Sequence, residues 1–192
     1  MTRLGWWMLL AFAVVIGGFA LIVRQERIAR EPASTSPPTP SIAAAGSLVI
    51  PVSGVQPAQL SDTWGDARGD GTRQHHAIDI MAPRGTPVVA AAAGRVEKIF
   101  ESTDGGHTVY IGVDPATIHY YAHLDSYAPG LAEGQAMKQG QLIGSVGSTG
   151  DASPEGPHLH FEIKKMAPGE RWWQGTEIDP FPILSGRPAP AR

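Results

Sequence analysis

The histidines of this chain fall into clusters whose spacing can do chemistry. His75 and Asp79 are four residues apart in His75-His76-Ala77-Ile78-Asp79-Ile80. Side chains alternate faces along a strand, so an extended segment here puts His75, Ala77 and Asp79 on one face and His76, Ile78 and Ile80 on the other. The isoleucines belong to a core. That leaves His75 and Asp79 facing a cleft with only a small alanine between them, and selects His75 over His76 as the partner of Asp79. In His158-Leu159-His160-Phe161-Glu162-Ile163, Leu159, Phe161 and Ile163 go inward, and His158, His160 and Glu162 share the opposite face. Two imidazoles two residues apart can approach one metal ion or one substrate. Zinc in a catalytic site takes three protein ligands and keeps a fourth position open. His75, Asp79 and one of His158 and His160 supply that number, and alternation does not choose between the last two. Taken singly, the first motif is also a surface ion pair and the second a solvated strand face; their coincidence in one small domain favours a shared site. His123 has strand parity with Tyr121 and His119, which by itself describes a buried, hydrogen-bonded core histidine.

The elements that must position these groups are short. Apolar runs at 48–52, 76–80, 87–100, 107–113, 117–124, 141–147 and 158–165 are separated by Ser-Gly, Pro-Arg-Gly, Asp-Gly-Gly, Ala-Pro-Gly and Ser-Thr-Gly. This spacing predicts an all-β domain, an antiparallel sandwich or small barrel. The alanines at 90–93 are read as part of a strand, because Gly94 follows them and a Val/Ile alternation continues. The 23 glycines and 17 prolines among 192 residues agree with many turns and few helices. There is no cysteine, which excludes disulfides, thiolate-bound zinc and thiol catalysis.

Residues 4–23 are an uncharged run of twenty. As a helix it spans about 30 Å, the thickness of a bilayer core. It is longer than the apolar region of a secretory signal and no convincing small-residue cleavage site follows, so it is read as an uncleaved transmembrane anchor. Trp6 and Trp7 stand at one end, where an interfacial belt would place them. Arg24, Arg27 and Arg30 after the span outnumber Arg3 before it, a weak lean toward a cytoplasmic C-terminal side. The predicted organisation is an anchor with its flanks (1–31), a Pro/Ser/Thr/Ala-rich linker (32–46) reaching at most about 45 Å, a folded domain (47–185) and a disordered tail (186–192). Beyond residue 31 the chain has 11 Lys/Arg against 16 Asp/Glu, which is not the footprint of a nucleic-acid binder.

His75-x-x-x-Asp79, Tyr121-Ala122-His123-Leu124 and Gly156-Pro157-His158-Leu159-His160-Phe161-Glu162 together resemble the lysostaphin/LytM-type zinc metalloendopeptidases. The stretches 82–96 and 138–150 fit the hairpin framework of that family, and the resemblance covers roughly residues 60–165. It departs at Ala77, where glycine is usual. The resemblance implies a compact antiparallel β-sandwich or half-barrel and hydrolysis of peptide cross-links or stem peptides in bacterial peptidoglycan. It implies one Zn2+ held by His75, Asp79 and His160, with His123 and His158 as non-ligand active-site histidines. It also implies that the domain lies outside the cytoplasm, on the periplasmic or cell-wall side, against the arginine count.

Zinc held by two neutral imidazoles and one carboxylate lowers the pKa of bound water from about 15.7 toward 7 and polarises a carbonyl. His123 and His158 would orient that water, take its proton and stabilise the oxyanion. Glu162 is either a solvated glutamate or the residue that orients a ligand. Arg73 is read as a surface arginine, with contact to a substrate carboxylate or oxyanion as the alternative. Trp172 and Trp173 are read as packing for the C-terminal region, with a peptide groove or a membrane surface as alternatives. His76, His107 and His119 are not expected to be ligands. The rival readings are a non-catalytic relative that activates other wall hydrolases, which would typically lack ligands, and a lipoyl- or biotin-carrier-like sandwich, for which no lysine stands at a hairpin tip.

Overall fold

The computed structural model describes residues 47–69 and 71–190. The anticipated membrane span and the linker lie outside these residues, and among the described residues no helix is long and apolar enough to cross a membrane. All described residues belong to one unit, 44–192. Eleven strands follow one another: β1 (Ala67–Arg68), β2 (Arg73–Gln74), β3 (Ile78–Met81), β4 (Pro87–Val89), β5 (Gly94–Ser102), β6 (Gly106–Asp114), β7 (Thr117–Tyr127), β8 (Ala136–Met137), β9 (Leu142–Val146), β10 (His158–Lys165) and β11 (Thr176–Ile178). A single turn of 3-10 helix, Pro57–Gln59, precedes them, and a short helix α1, Phe181–Ser185, follows. Every pairing between these strands is antiparallel. The anticipated β class therefore holds among the described residues, where the α-helix is limited to one short C-terminal element that buries Phe181 and Leu184.

β1 and β2 form a separate two-stranded hairpin; the other nine strands form one sheet. The long strands β7 and β10 organise it. One edge of β10 carries β3 along its first half (158–161) and β11 along its second half (163–165), and the other edge pairs with β7. β7 pairs with β6 along one edge; along the other it pairs with β10 through Ala122 and with β9 from Leu124 onward. The sheet thus divides at His123, which has φ 58°, the only positive φ among the described non-glycine residues. Left-handed backbone at a residue with a Cβ is unfavourable, and here it is held by a His123 N–H bond to the Gly105 carbonyl. Gly147 lies against this bulge and bridges to His158; a Cβ there would collide with the backbone of Asp125. Ile78, Ile80, Val88, Tyr121, Leu159 and Phe161 are among the residues of the core beneath the sheet.

Three expected strands differ. Residues 48–52 run beside β4, but only Val52 makes a bridge, to Val88; Pro51 has no N–H to give a ladder. Residues 90–93 are not strand: β4 ends at Val89 and β5 begins at Gly94. The buried Ala91 N–H is satisfied by the Tyr121 hydroxyl at 2.9 Å, so this backbone bends around a core side chain instead of joining a neighbour. His76 and Ala77 precede β3, so strict alternation does not reach back to the histidines. In the tail expected to be disordered, Arg187 donates to the carbonyls of Pro57 (3.0 Å) and Leu60 (2.8 Å), which places that residue against the 3-10 turn.

Candidate metal centre

The cleft face of the sheet is set by β10 and its neighbours. His160 pairs in register with Asp79 of β3 and Ala122 of β7. The small side chain of Ala122 leaves room above the pair, while Leu159, Phe161 and Ile163 on the alternate positions are buried in the core. His75 is reached differently. It sits just before β3, with its N–H donated to the Asp66 carbonyl and its own carbonyl accepting from Gly65. Its side chain, 4% exposed, joins the site, whereas His76 turns outward and stacks on Trp64 at 5.2 Å. Ala77 is fully buried and its backbone is not left-handed, so the extra methyl at this position is accommodated.

His75, Asp79 and His160 converge. His75 Nε2 is 3.0 Å from Asp79 Oδ1 and 3.0 Å from His160 Nδ1, and His160 Nδ1 is 3.3 Å from Asp79 Oδ1. The far side of each ring identifies the free atom. His75 Nδ1 donates to the Thr63 carbonyl at 2.8 Å, and His160 Nε2 donates to Glu162 Oε1 at 3.0 Å. Neutral imidazoles so held present lone pairs at His75 Nε2 and His160 Nδ1. Asp79 Oδ1 is buried and has no hydrogen bond. Three lone-pair donors about 3 Å apart require positive charge between them, as a proton or a metal ion. Ligands about 2.0–2.1 Å from a tetrahedral zinc stand about 3.3–3.4 Å apart, close to the observed separations. The donor set fits that ion.

The titration of the group carries the same message. Burial alone would raise the Asp79 pKa, but the His160 and His75 rings beside it outweigh that and hold the carboxyl far below its ordinary value. Burial would likewise lower His160, yet the carboxylates of Asp79 and Glu162 on either side of its ring push it up to about 9. Glu162 is mostly buried and is itself flanked by Lys164 Nζ at 3.3 Å, which also meets Glu177 at 3.0 Å. Of its two sequence readings, the structure gives Glu162 the role of orienting His160.

His123 and His158 stand beside this set. Their rings are 4.9 Å apart, and His158 Nε2 is 3.8 Å from Asp79 Oδ1. Strand parity grouped His123 with the core-facing His119 and Tyr121. That grouping is corrected: the left-handed bulge turns its side chain onto the face of Ala122, and it lines the cleft. Its Nδ1 donates to the Thr149 carbonyl at 2.8 Å, and His158 Nδ1 donates to the Gly156 carbonyl at 2.8 Å. Both therefore present Nε2 as an acceptor. Burial pushes the His123 pKa down.

The cleft measures about 690 Å³ and takes in all five residues. Arg73 lies on its rim, 3.5 Å from both Asp104 and Asp151. Trp172 packs on Phe100 and Tyr110, and Trp173 is exposed beneath the Arg171 guanidinium. His107 and His119 are outside the cleft lining. Sequence reasoning missed Thr63, Arg68 and Lys164. Arg68 Nη2 is 2.5 Å from Asp79 Oδ2, and the turn signal Gly69-Asp70-Gly71 was the available hint that a hairpin would bring it back toward Asp79.

Residues 73–180 match peptidase family M23. The L-Ala–D-Glu endopeptidase of Bacillus subtilis (strain 168) is 41% identical over 128 residues, 64% of this chain and 38% of that protein. The peptidoglycan DD-endopeptidase ShyC of Vibrio cholerae is 41% identical over 91 residues, 47% of this chain and 20% of that protein. The catalytic domain of the antimicrobial peptidase lysostaphin from Staphylococcus simulans superposes with a TM-score of 0.55 at 29% identity, covering 65% of this chain and 90% of that one. A zinc-containing peptidase from Vibrio cholerae superposes with a TM-score of 0.53 at 28% identity, covering 62% and 37%. The chain spans 38% or less of the length of these two curated relatives. With the matched residues covering more than half of its length and containing all five site residues, the chain belongs to peptidase family M23.

Proposed function

We propose that this protein is a zinc-dependent endopeptidase that hydrolyses peptide cross-links or stem peptides of bacterial peptidoglycan, anchored by its N-terminal segment with residues 47–192 outside the cytoplasmic membrane. The observation that carries the catalytic part is the convergence of His75 Nε2, Asp79 Oδ1 and His160 Nδ1, with two further histidines whose free nitrogens are acceptors. The substrate class is supported by the relatives, one named a peptidoglycan DD-endopeptidase and another an L-Ala–D-Glu endopeptidase. The anchor rests on the uncharged run 4–23.

His75, Asp79 and His160 would hold the metal, and Thr63 and Glu162 fix the rings so that the ligating nitrogens cannot exchange. When bound, zinc polarises the scissile carbonyl and lowers the pKa of a bound water. His123 and His158 supply the proton chemistry. Their Nδ1–H groups are committed to backbone carbonyls, so in the neutral state each Nε2 accepts. One of them takes the proton of the attacking water as general base. The imidazolium so formed is a donor at Nε2, able to hydrogen-bond the developing oxyanion or return the proton to the leaving nitrogen. Digestion of purified peptidoglycan, followed by mass spectrometry of the fragments, tests the reading. It is supported by fragments with a new amine and carboxylate at one peptide bond, and refuted by intact peptides or by cuts only in the glycan.

A further inference from the structure

We propose that the segment Thr63–Arg68, which precedes the family-matched residues 73–180, is part of the metal centre, and that Arg68 is a positioning residue that confines Asp79 to metal binding through Oδ1 alone. The inference rests on the zinc reading above. Thr63 grips both ligands at once: its carbonyl accepts from His75 Nδ1 at 2.8 Å, and its hydroxyl oxygen accepts from the Asp79 N–H at 2.9 Å. Gly65 and Asp66 take up both backbone groups of His75. Arg68 then reaches back from β1 and places Nη2 2.5 Å from Asp79 Oδ2. The hairpin fixes its origin, because Arg68 pairs with Arg73 two residues before His75.

The consequence lies in how the two carboxylate oxygens divide. Oδ2 is held by the guanidinium, while Oδ1 is buried, has no hydrogen bond, and faces both imidazoles. A carboxylate with two free oxygens can chelate a divalent ion through both and raise its coordination number. One whose outer oxygen is engaged by a charge-assisted hydrogen bond offers a single oxygen in a fixed direction. Arg68 thereby preserves the position that a substrate carbonyl or water needs, and holds Oδ1 aimed at the metal site so that no ordering of the ligand is left to be done on binding. Groups that orient metal ligands in this way typically change metal affinity by about 10–100-fold when removed.

The experiment uses the full chain in mild detergent, as wild type, Arg68→Ala and Arg68→Lys. Zinc affinity is read by competition with a chromogenic chelator, and coordination number by the visible spectrum of the cobalt(II)-substituted protein. Arg68→Ala should bind zinc about 10–100-fold more weakly, and its cobalt spectrum should lose intensity as Asp79 becomes bidentate. Arg68→Lys, whose ammonium can still hold Oδ2, should recover most of both. An ion pair with only a structural role would leave the cobalt spectrum unchanged, so identical spectra and affinities in wild type and Arg68→Ala overturn the proposal. Should the alanine variant fail to fold, Arg68→Met, which keeps the aliphatic stem and lacks the donor, takes its place with the same two readouts. If the wild type takes up neither zinc nor cobalt, it is the zinc reading that fails.

Discussion

His119 gives the domain a stability that depends on pH in a direction the structure determines. It lies on β7, 1% exposed, edge-on to Phe161 at 5.3 Å, and its Nδ1 has no hydrogen-bond partner. Burial, opposed by the charge of Asp114 and reinforced by that of Lys165, lowers its pKa to about 4 from 6.5. The folded protein therefore keeps this imidazole neutral while the unfolded chain binds a proton below about pH 6.5. Between those two values the unfolded state holds more protons, so stability falls as pH drops from 6.5 toward 4 and is fully penalised below 4. At 1.36 kcal/mol per pKa unit, the loss at pH 4.5 is about 2–3 kcal/mol relative to pH 7. Other groups also titrate in this range, so the test is a difference: urea unfolding of residues 47–192 and of the same fragment carrying His119→Leu, at pH 7.0 and 4.5, both with chelator so that metal loss does not enter. The substitution removes the unpartnered nitrogen at similar volume, and the variant should lose about 2–3 kcal/mol less than the parent on acidification. Parallel losses in the two proteins would refute the argument.

Tyr121→Phe should leave the buried Ala91 N–H without its acceptor and cost about 1–3 kcal/mol in thermal or urea unfolding, with peptidoglycan hydrolysis retained. His76→Ala should retain metal content and hydrolysis within error, because that ring stacks on Trp64 outside the ligand set; loss of zinc by elemental analysis would contradict the site drawn here. A C-terminal reporter active only in the cytoplasm should be silent in cells, and a signal from it would overturn the extracytoplasmic placement.

How far the sequence could be read depended on how far alternation ran unbroken. β10 is legible along most of its length because its inward Leu159, Phe161 and Ile163 and outward His158, His160 and Glu162 keep period two from His158 to Ile163, broken only at the buried Lys164 and exposed Lys165. The same rule reaches His75 only by coincidence: the residue does face Asp79, but from a segment before β3 that is held by Gly65 and Asp66. It fails at His123, because one left-handed residue with no glycine to announce it reverses the facing of the chain. Motif resemblance placed His123 in the site where periodicity placed it in the core. The alanines at 90–93 misled for a different reason, since small apolar residues suit a strand and a buried bend equally, and the partner that decides between them, Tyr121, is thirty residues away. Thr63 and Arg68 act through contacts 11 to 16 residues distant, across a turn whose strands are two residues long, too short to show any period.

The proposed function divides the labour between three residues that hold a metal and two that do chemistry beside it. Zinc content and peptidoglycan hydrolysis measured together on His75→Ala, Asp79→Ala, His160→Ala, His123→Ala and His158→Ala test it directly. The first three should lose both properties. The last two should keep zinc and lose about 10²–10⁴-fold in rate, as expected for removing a general base or an oxyanion donor. Zinc retained at wild-type level after loss of His75, Asp79 or His160, or full activity without His123 and His158, would contradict it.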